Sequence, residues 1–112
     1  MNINYVNKKV EKIFCDYGLM KSVLPFDWVK TIKKRIDHLR AAETFGDFLT
    51  LGLGNPEQLS GFENITYSLR ISANVRLIIE MTVSQDELNN CSDITVRGVC
   101  DYHGSKFNWY IP

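Results

Sequence analysis

Net charge is what this chain most plainly lacks: 13 lysines and arginines are offset by 13 aspartates and glutamates. No overall field pulls it toward nucleic acid or an anionic membrane, so any anion site has to be local. Cysteines are few and odd in number, Cys15, Cys91 and Cys100, with no Cys-x-x-Cys spacing. That argues against a disulfide framework and a zinc site, and it fits reduced thiols in a cytoplasmic protein. No window approaches the ~20 apolar residues of a membrane span. The stretch Met1 to Lys9 has no apolar segment of signal-peptide length. The motifs of several large enzyme classes are missing too: there is no Gly-x-Ser-x-Gly, no phosphate-binding glycine loop and no His-Glu-x-x-His. Gly52-Leu53-Gly54 lacks a third glycine and a preceding strand, which excludes a dinucleotide site.

What is present is enough apolar material for one compact core, 45% of 112 residues, and too little length for two ordinary domains. A single domain over 1–112 is expected. Residues 2–6 alternate weakly, as a short edge strand would. Val10, Ile13, Phe14 and Tyr17 then recur at helical spacing and predict a helix near 7–16, ended by Gly18. Pro25 and Asp27 are start signals for a second helix whose apolar stripe is Trp28, Val29, Ile32, Ile36 and Leu39. Its other side carries Lys30, Lys33, Lys34, Arg35, His38 and Arg40. That basic surface suits RNA phosphates or an acidic partner, and equally suits plain solvation.

Glycines, Asn55 and Pro56 make 43–61 a loop, with one helical turn at Phe45 to Leu49. From Asn64 the period changes to two. Ile65, Tyr67, Leu69 and Ile71 face one way and Thr66, Ser68 and Arg70 the other; Val75, Leu77, Ile79 and Met81 continue the buried face, leaving Arg76, Ile78 and Glu80 open. Ser84 to Ser92 is a polar connection. Asp93 to Tyr102 is the third strong strand, with Gly98 marking a bulge. Helices followed by an antiparallel meander predict an α+β fold, helices on one sheet face and the opposite face free for a ligand.

A three-residue loop at 72–74, with Asn74 suited to a left-handed last position, sets Arg70 directly opposite Arg76. Like charges in that relation are destabilising unless carboxylates such as Glu80 or Asp101 neutralise them or an anion fills the gap. Forked guanidinium groups suit phosphate. Asp101-Tyr102-His103 adds an acceptor, an aromatic face for a base and an imidazole able to exchange a proton near neutral pH. Cutting RNA through its own 2′-hydroxyl needs a proton acceptor, a proton donor and positive charge at the phosphorane. Strand alternation, however, sets Asp101 and His103 on one side and Tyr102 on the other unless the strand ends or bulges there. The aromatic tail Phe107, Trp109 and Tyr110 either covers core at the sheet edge or offers stacking surfaces.

From about Ile32 to Gly104 an ordered series resembles the RelE/ParE superfamily of bacterial toxins, and most of all its HigB, or plasmid maintenance killer, branch. The series runs Ile36-Asp37-His38-Leu39-Arg40-Ala41-Ala42, then Gln58-Leu59-Ser60-Gly61, Tyr67-Ser68-Leu69-Arg70-Ile71, Asn74-Val75-Arg76-Leu77-Ile78 and Asp101-Tyr102-His103. The resemblance implies a RelE-like α+β fold, two N-terminal helices on one face of a small, mainly antiparallel sheet. It implies a ribosome-dependent messenger-RNA endonuclease without metal or cofactor, with Arg70, Arg76, Asp101, Tyr102 and His103 in the cutting site. The implied partners are messenger RNA and the ribosome, a cognate helix-turn-helix antitoxin, and operator DNA only through the toxin–antitoxin complex. Ser60 stands where many relatives carry a lysine, the chain is neutral where the family is usually basic, and the loop at 82–92 is long. Two alternatives follow: a ParE-like toxin that poisons a protein such as gyrase without catalysis, and a degenerate member that only binds its antitoxin.

Overall fold

A computed structural model describes residues 1–104 and 106–112. Helices α1 (Lys8–Phe14), α2 (Tyr17–Val23), α3 (Phe26–Ala41) and α4 (Phe45–Leu51) lie between strand β1 (Asn2–Tyr5) and strands β2 (Glu57–Leu59), β3 (Ile65–Arg70), β4 (Val75–Met81), β5 (Asp93–His103) and β6 (Lys106–Ile111); a 3₁₀ segment spans Gln85–Asn90. The architecture is α+β, and the expected pair of N-terminal helices is corrected to four helices before β2.

The reasons are local. Asn7, Asp16 and Thr44 each accept a backbone N–H three residues on, from Val10, Leu19 and Asp47, and so start α1, α2 and α4. Gly18 therefore does not end the first helix; Asp16 begins a new one around it. In α4 the cap allows nearly two turns where a single turn was expected, ended by Gly52 in the left-handed region. Strand β6 was not foreseen as a strand.

Strand β5 organises the sheet. Along one edge it pairs with β4, and along the other it pairs with β1 in parallel over its first half and with β6 over its second. The order is β1-β5-β4-β3-β2, antiparallel apart from β1. Arg97 is the extra residue of the predicted bulge, since Ile78 pairs with Gly98 and Ile79 with Val96. Gly98 has φ 147, where a side chain is strained, and an added Cβ would stand 1.8 Å from the Ile111 carbonyl oxygen.

The main core lies between the helices and one sheet face. Val29, Ile32, Ile36 and Leu39 of α3 and Phe45 and Phe48 of α4 meet Leu69, Leu77, Ile79, Ile94 and Val99. Each such side chain stabilises the fold by about 1.5–3 kcal/mol relative to exposure. The other face is not bare. Leu59, Ile78 and Cys100 are buried there beneath Tyr102 and Phe107, so the ligand-free face expected from the sequence carries a small second core.

Candidate nucleic-acid interface

The β3–β4 hairpin forms as the sequence predicts, with Arg70 opposite Arg76. Ile71 N–H donates to the Val75 carbonyl across the turn. Asn74 does not take the left-handed conformation; among the described residues Asn55 is the non-glycine that does. The two arginines are held differently. Arg76 folds back on its own turn, where Nη1 donates to the carbonyls of Ser72 at 2.8 Å, Val75 at 3.1 Å and Ala73 at 3.2 Å. Arg70 is exposed, and its anchorage is through the backbone: its N–H donates to Gly54 O at 2.7 Å, and its carbonyl accepts from Arg35 Nε at 3.0 Å. Gly54 has room for this only without a Cβ, which would lie 2.7 Å from Arg35 Nε.

Arg35 is the residue that sequence reasoning missed. It was legible only as one charge on a basic helix, yet it ties α3 to the end of β3 and brings a third guanidinium to the same sheet end. Burial pushes its pKa below the usual arginine value, an effect of desolvation on the charged form.

Neither Arg70 nor Arg76 is in an ion pair among the described residues. Glu80, a candidate partner in the sequence, is engaged by Arg97 at 3.2 Å. The cost of opposing two cations is thus left uncompensated by carboxylates, an arrangement suited to an anion with several oxygens.

Tyr102 joins this face. Its N–H donates to Asn74 O at 2.8 Å, fixing it beside the turn, and its ring lies 4.8 Å from Phe107. Phe107 stacks on Trp109 at 5.7 Å and 13° and meets Phe62 edge-on at 5.7 Å. Cys100, between Arg76 and Trp109 in the pairing, has its thiol pushed up to about 12, first by burial and then by the Asp101 charge, against the lowering effect of Arg76. It is a neutral, packed thiol, unsuited to nucleophilic work.

Asp101 and His103 stand at the same end of the sheet. Asp101 pairs with Val75 of the core face, and alternation along β5 directs both residues away from the side that bears Tyr102 and the arginines. Lys30, Lys33 and Lys34 are not brought to the arginines either. They project from the outer side of α3, where Lys30 lies over the Phe26 ring at 5.7 Å and Lys33 over the Tyr17 ring at 5.6 Å. A shallow cleft of about 560 Å³ at the junction of α3 and α4, lined by His38, Glu43, Asp47 and Thr50 among others, shares no residue with the sheet-end cluster. Among the described residues no His, Cys, Asp and Glu group fit to hold a metal ion occurs. None of the described helices is long and apolar enough to cross a membrane.

The fold has a counterpart among solved structures. The YoeB dimer from Staphylococcus aureus aligns over 93% of this chain and 98% of its own, with a TM-score of 0.55 and 21% identity. This chain shares its fold with YoeB. No protein-family model matches the sequence, and neither does any curated protein. The likeness therefore rests on architecture alone, a mixed sheet with helices layered on one face.

Proposed function

We propose that this protein is the toxin of a type II toxin–antitoxin pair and that it cuts messenger RNA on the ribosome by metal-independent attack of the 2′-hydroxyl, leaving a cyclic phosphate. One observation carries the reading: Arg70 and Arg76 stand opposed at the open end of the sheet, without carboxylate partners among the described residues, beside an anchored tyrosine. In this scheme Arg70 and Arg76 hold the scissile phosphate, Tyr102 positions a base, and His103 with Asp101 moves protons. A small helix-turn-helix antitoxin neutralises the toxin, and the pair represses its own operator DNA. The HigB branch is supported by the ordered motif series alone. The outward lysines of α3, Lys30, Lys33 and Lys34, contact RNA away from the cut.

A second reading has its own support. Because alternation turns Asp101 and His103 from the arginine face, the chain would serve as an RNA- or antitoxin-binding member without catalysis unless the end of β5 reorients on binding. Primer extension on cellular messages after induction separates the two, since discrete cuts belong only to the first. His103→Gln then assigns the proton transfer. In the catalytic reading it lowers single-turnover cutting by about 10²–10⁴-fold and removes one limb of the pH profile. An unchanged profile takes His103 out of the mechanism.

A further inference from the structure

We propose that Trp109, backed by Phe107, is a stacking subsite for an unpaired nucleobase next to the linkage held by Arg70 and Arg76. The inference rests on the RNA reading above and extends it to a strand that the motif series does not reach.

Three observations carry it. First, pairing aligns Arg70 with Arg76, Arg76 with Cys100 and Cys100 with Trp109, so the indole shares a cross-strand row with both guanidinium groups. Two strand spacings, about 10 Å, separate Trp109 from Arg76, within reach of a neighbouring nucleotide. Second, the ring is held without being hidden. Phe107 lies 13° from coplanar with it and its six-membered ring approaches Gly98, where an added Cβ would be 3.2 Å from Trp109 Cζ3, yet Trp109 keeps 37% of its surface exposed. Third, it is not alone as cover: the buried Ile78 and Cys100 of that face also pack with Leu59, Tyr102 and Phe107, so the outward part of the indole is free for a ligand. Partly exposed aromatic rings beside unpaired arginines match the way single strands are bound, phosphates on cations and bases on π-faces.

Trp28 and Trp109 are the two tryptophans, so Trp28→Phe leaves Trp109 as the sole indole reporter in the full chain. The probe is a short 2′-O-methyl oligoribonucleotide of mixed sequence, which has no free 2′-hydroxyl to react, with binding followed independently by anisotropy. We expect Trp109 emission to be quenched on saturation. Trp109→Phe should bind within a few-fold of the parent, while Trp109→Leu and Trp109→Ala weaken binding about 5- to 100-fold, the range of one lost stack. Leucine separates the roles because it keeps apolar cover and loses the π-face; thermal melts confirm that the variants are folded. Full binding by Trp109→Leu, or emission that saturating RNA leaves unchanged, overturns the subsite. If the parent binds the probe through Trp109 but cuts no natural RNA, the cleavage reading falls and the subsite stands. If it cuts RNA while Trp109→Leu binds normally, the subsite alone falls. No binding by the parent overturns both.

Discussion

Replacing each arginine of the hairpin by alanine should give different patterns of damage, and the difference follows from how the two side chains are held. Arg76 Nη1 serves three carbonyls, those of Ser72, Ala73 and Val75, but it has two hydrogens, so about two full bonds are at stake. At about 0.5–1.5 kcal/mol each, less the relief of its repulsion with Arg70, Arg76→Ala should cost about 1–2 kcal/mol. In a domain of this size that is a drop of about 4–10 °C in Tm. Arg70 makes its bonds through the backbone, which alanine retains, and its removal relieves a like-charge pair. Arg70→Ala should therefore leave Tm within about 2 °C or raise it slightly. RNA binding should fall with either change, but losing Arg70 removes one phosphate contact cleanly, with no loss of stability. The logarithmic salt dependence of single-strand binding then becomes shallower by about 0.7. Differential scanning calorimetry and salt titrations of the 2′-O-methyl probe supply both measurements. A large loss of stability in Arg70→Ala, or none in Arg76→Ala, would refute this division of labour.

Gly98→Ala should be among the most damaging single changes. It combines a positive φ with a Cβ 1.8 Å from the Ile111 carbonyl oxygen, and strain plus overpacking should cost about 2–5 kcal/mol in urea unfolding; a loss under about 1 kcal/mol would contradict the bulge geometry. Alkali should destabilise the fold. The Cys100 thiol is raised from 9.0 to about 12, and Tyr5 from 10.0 to about 12 chiefly by burial. Both stay protonated in the folded chain while the unfolded chain ionises first. Their contribution is complete below pH 9 and is lost as the pH rises toward 12. Cys100→Ala should flatten the dependence of the urea midpoint on pH over that interval, and an unaltered slope would remove the thiol from the account.

Which features were legible in the sequence depended on whether a local pattern decided them. The hairpin was, because period-two alternation on both sides of a short loop leaves one register that buries Leu69 and Leu77 together, and that register sets Arg70 against Arg76. The α3 stripe and the Gly98 bulge were legible for the same reason. Helices α1 and α2 were not divided correctly because Gly18 was weighed as a terminator while Asp16, whose carboxylate starts the next helix, was read as the last residue of the first. Arg35 escaped because its partner, the Arg70 carbonyl, is distant in sequence and carries no signal of its own. Strand β6 escaped because its pairing with β5 depends on the bulge at Gly98, and with it went the second core formed by Phe107 over Ile78 and Cys100. The separation of Tyr102 from Asp101 and His103 was implicit in strand periodicity.

Pairing the first strand of the chain with one of the last also sets a timetable for assembly. Strand β1 has no partner until β5 exists, and β5 also seats β4 and β6. Helices can form early on a nascent chain, but the sheet is closed by contacts of long sequence separation, which are slow to form. The Arg70–Arg76 hairpin is itself local, but the sheet that backs it, and the row that continues through Cys100 to Trp109, are complete only once β5 has paired with β1, β4 and β6.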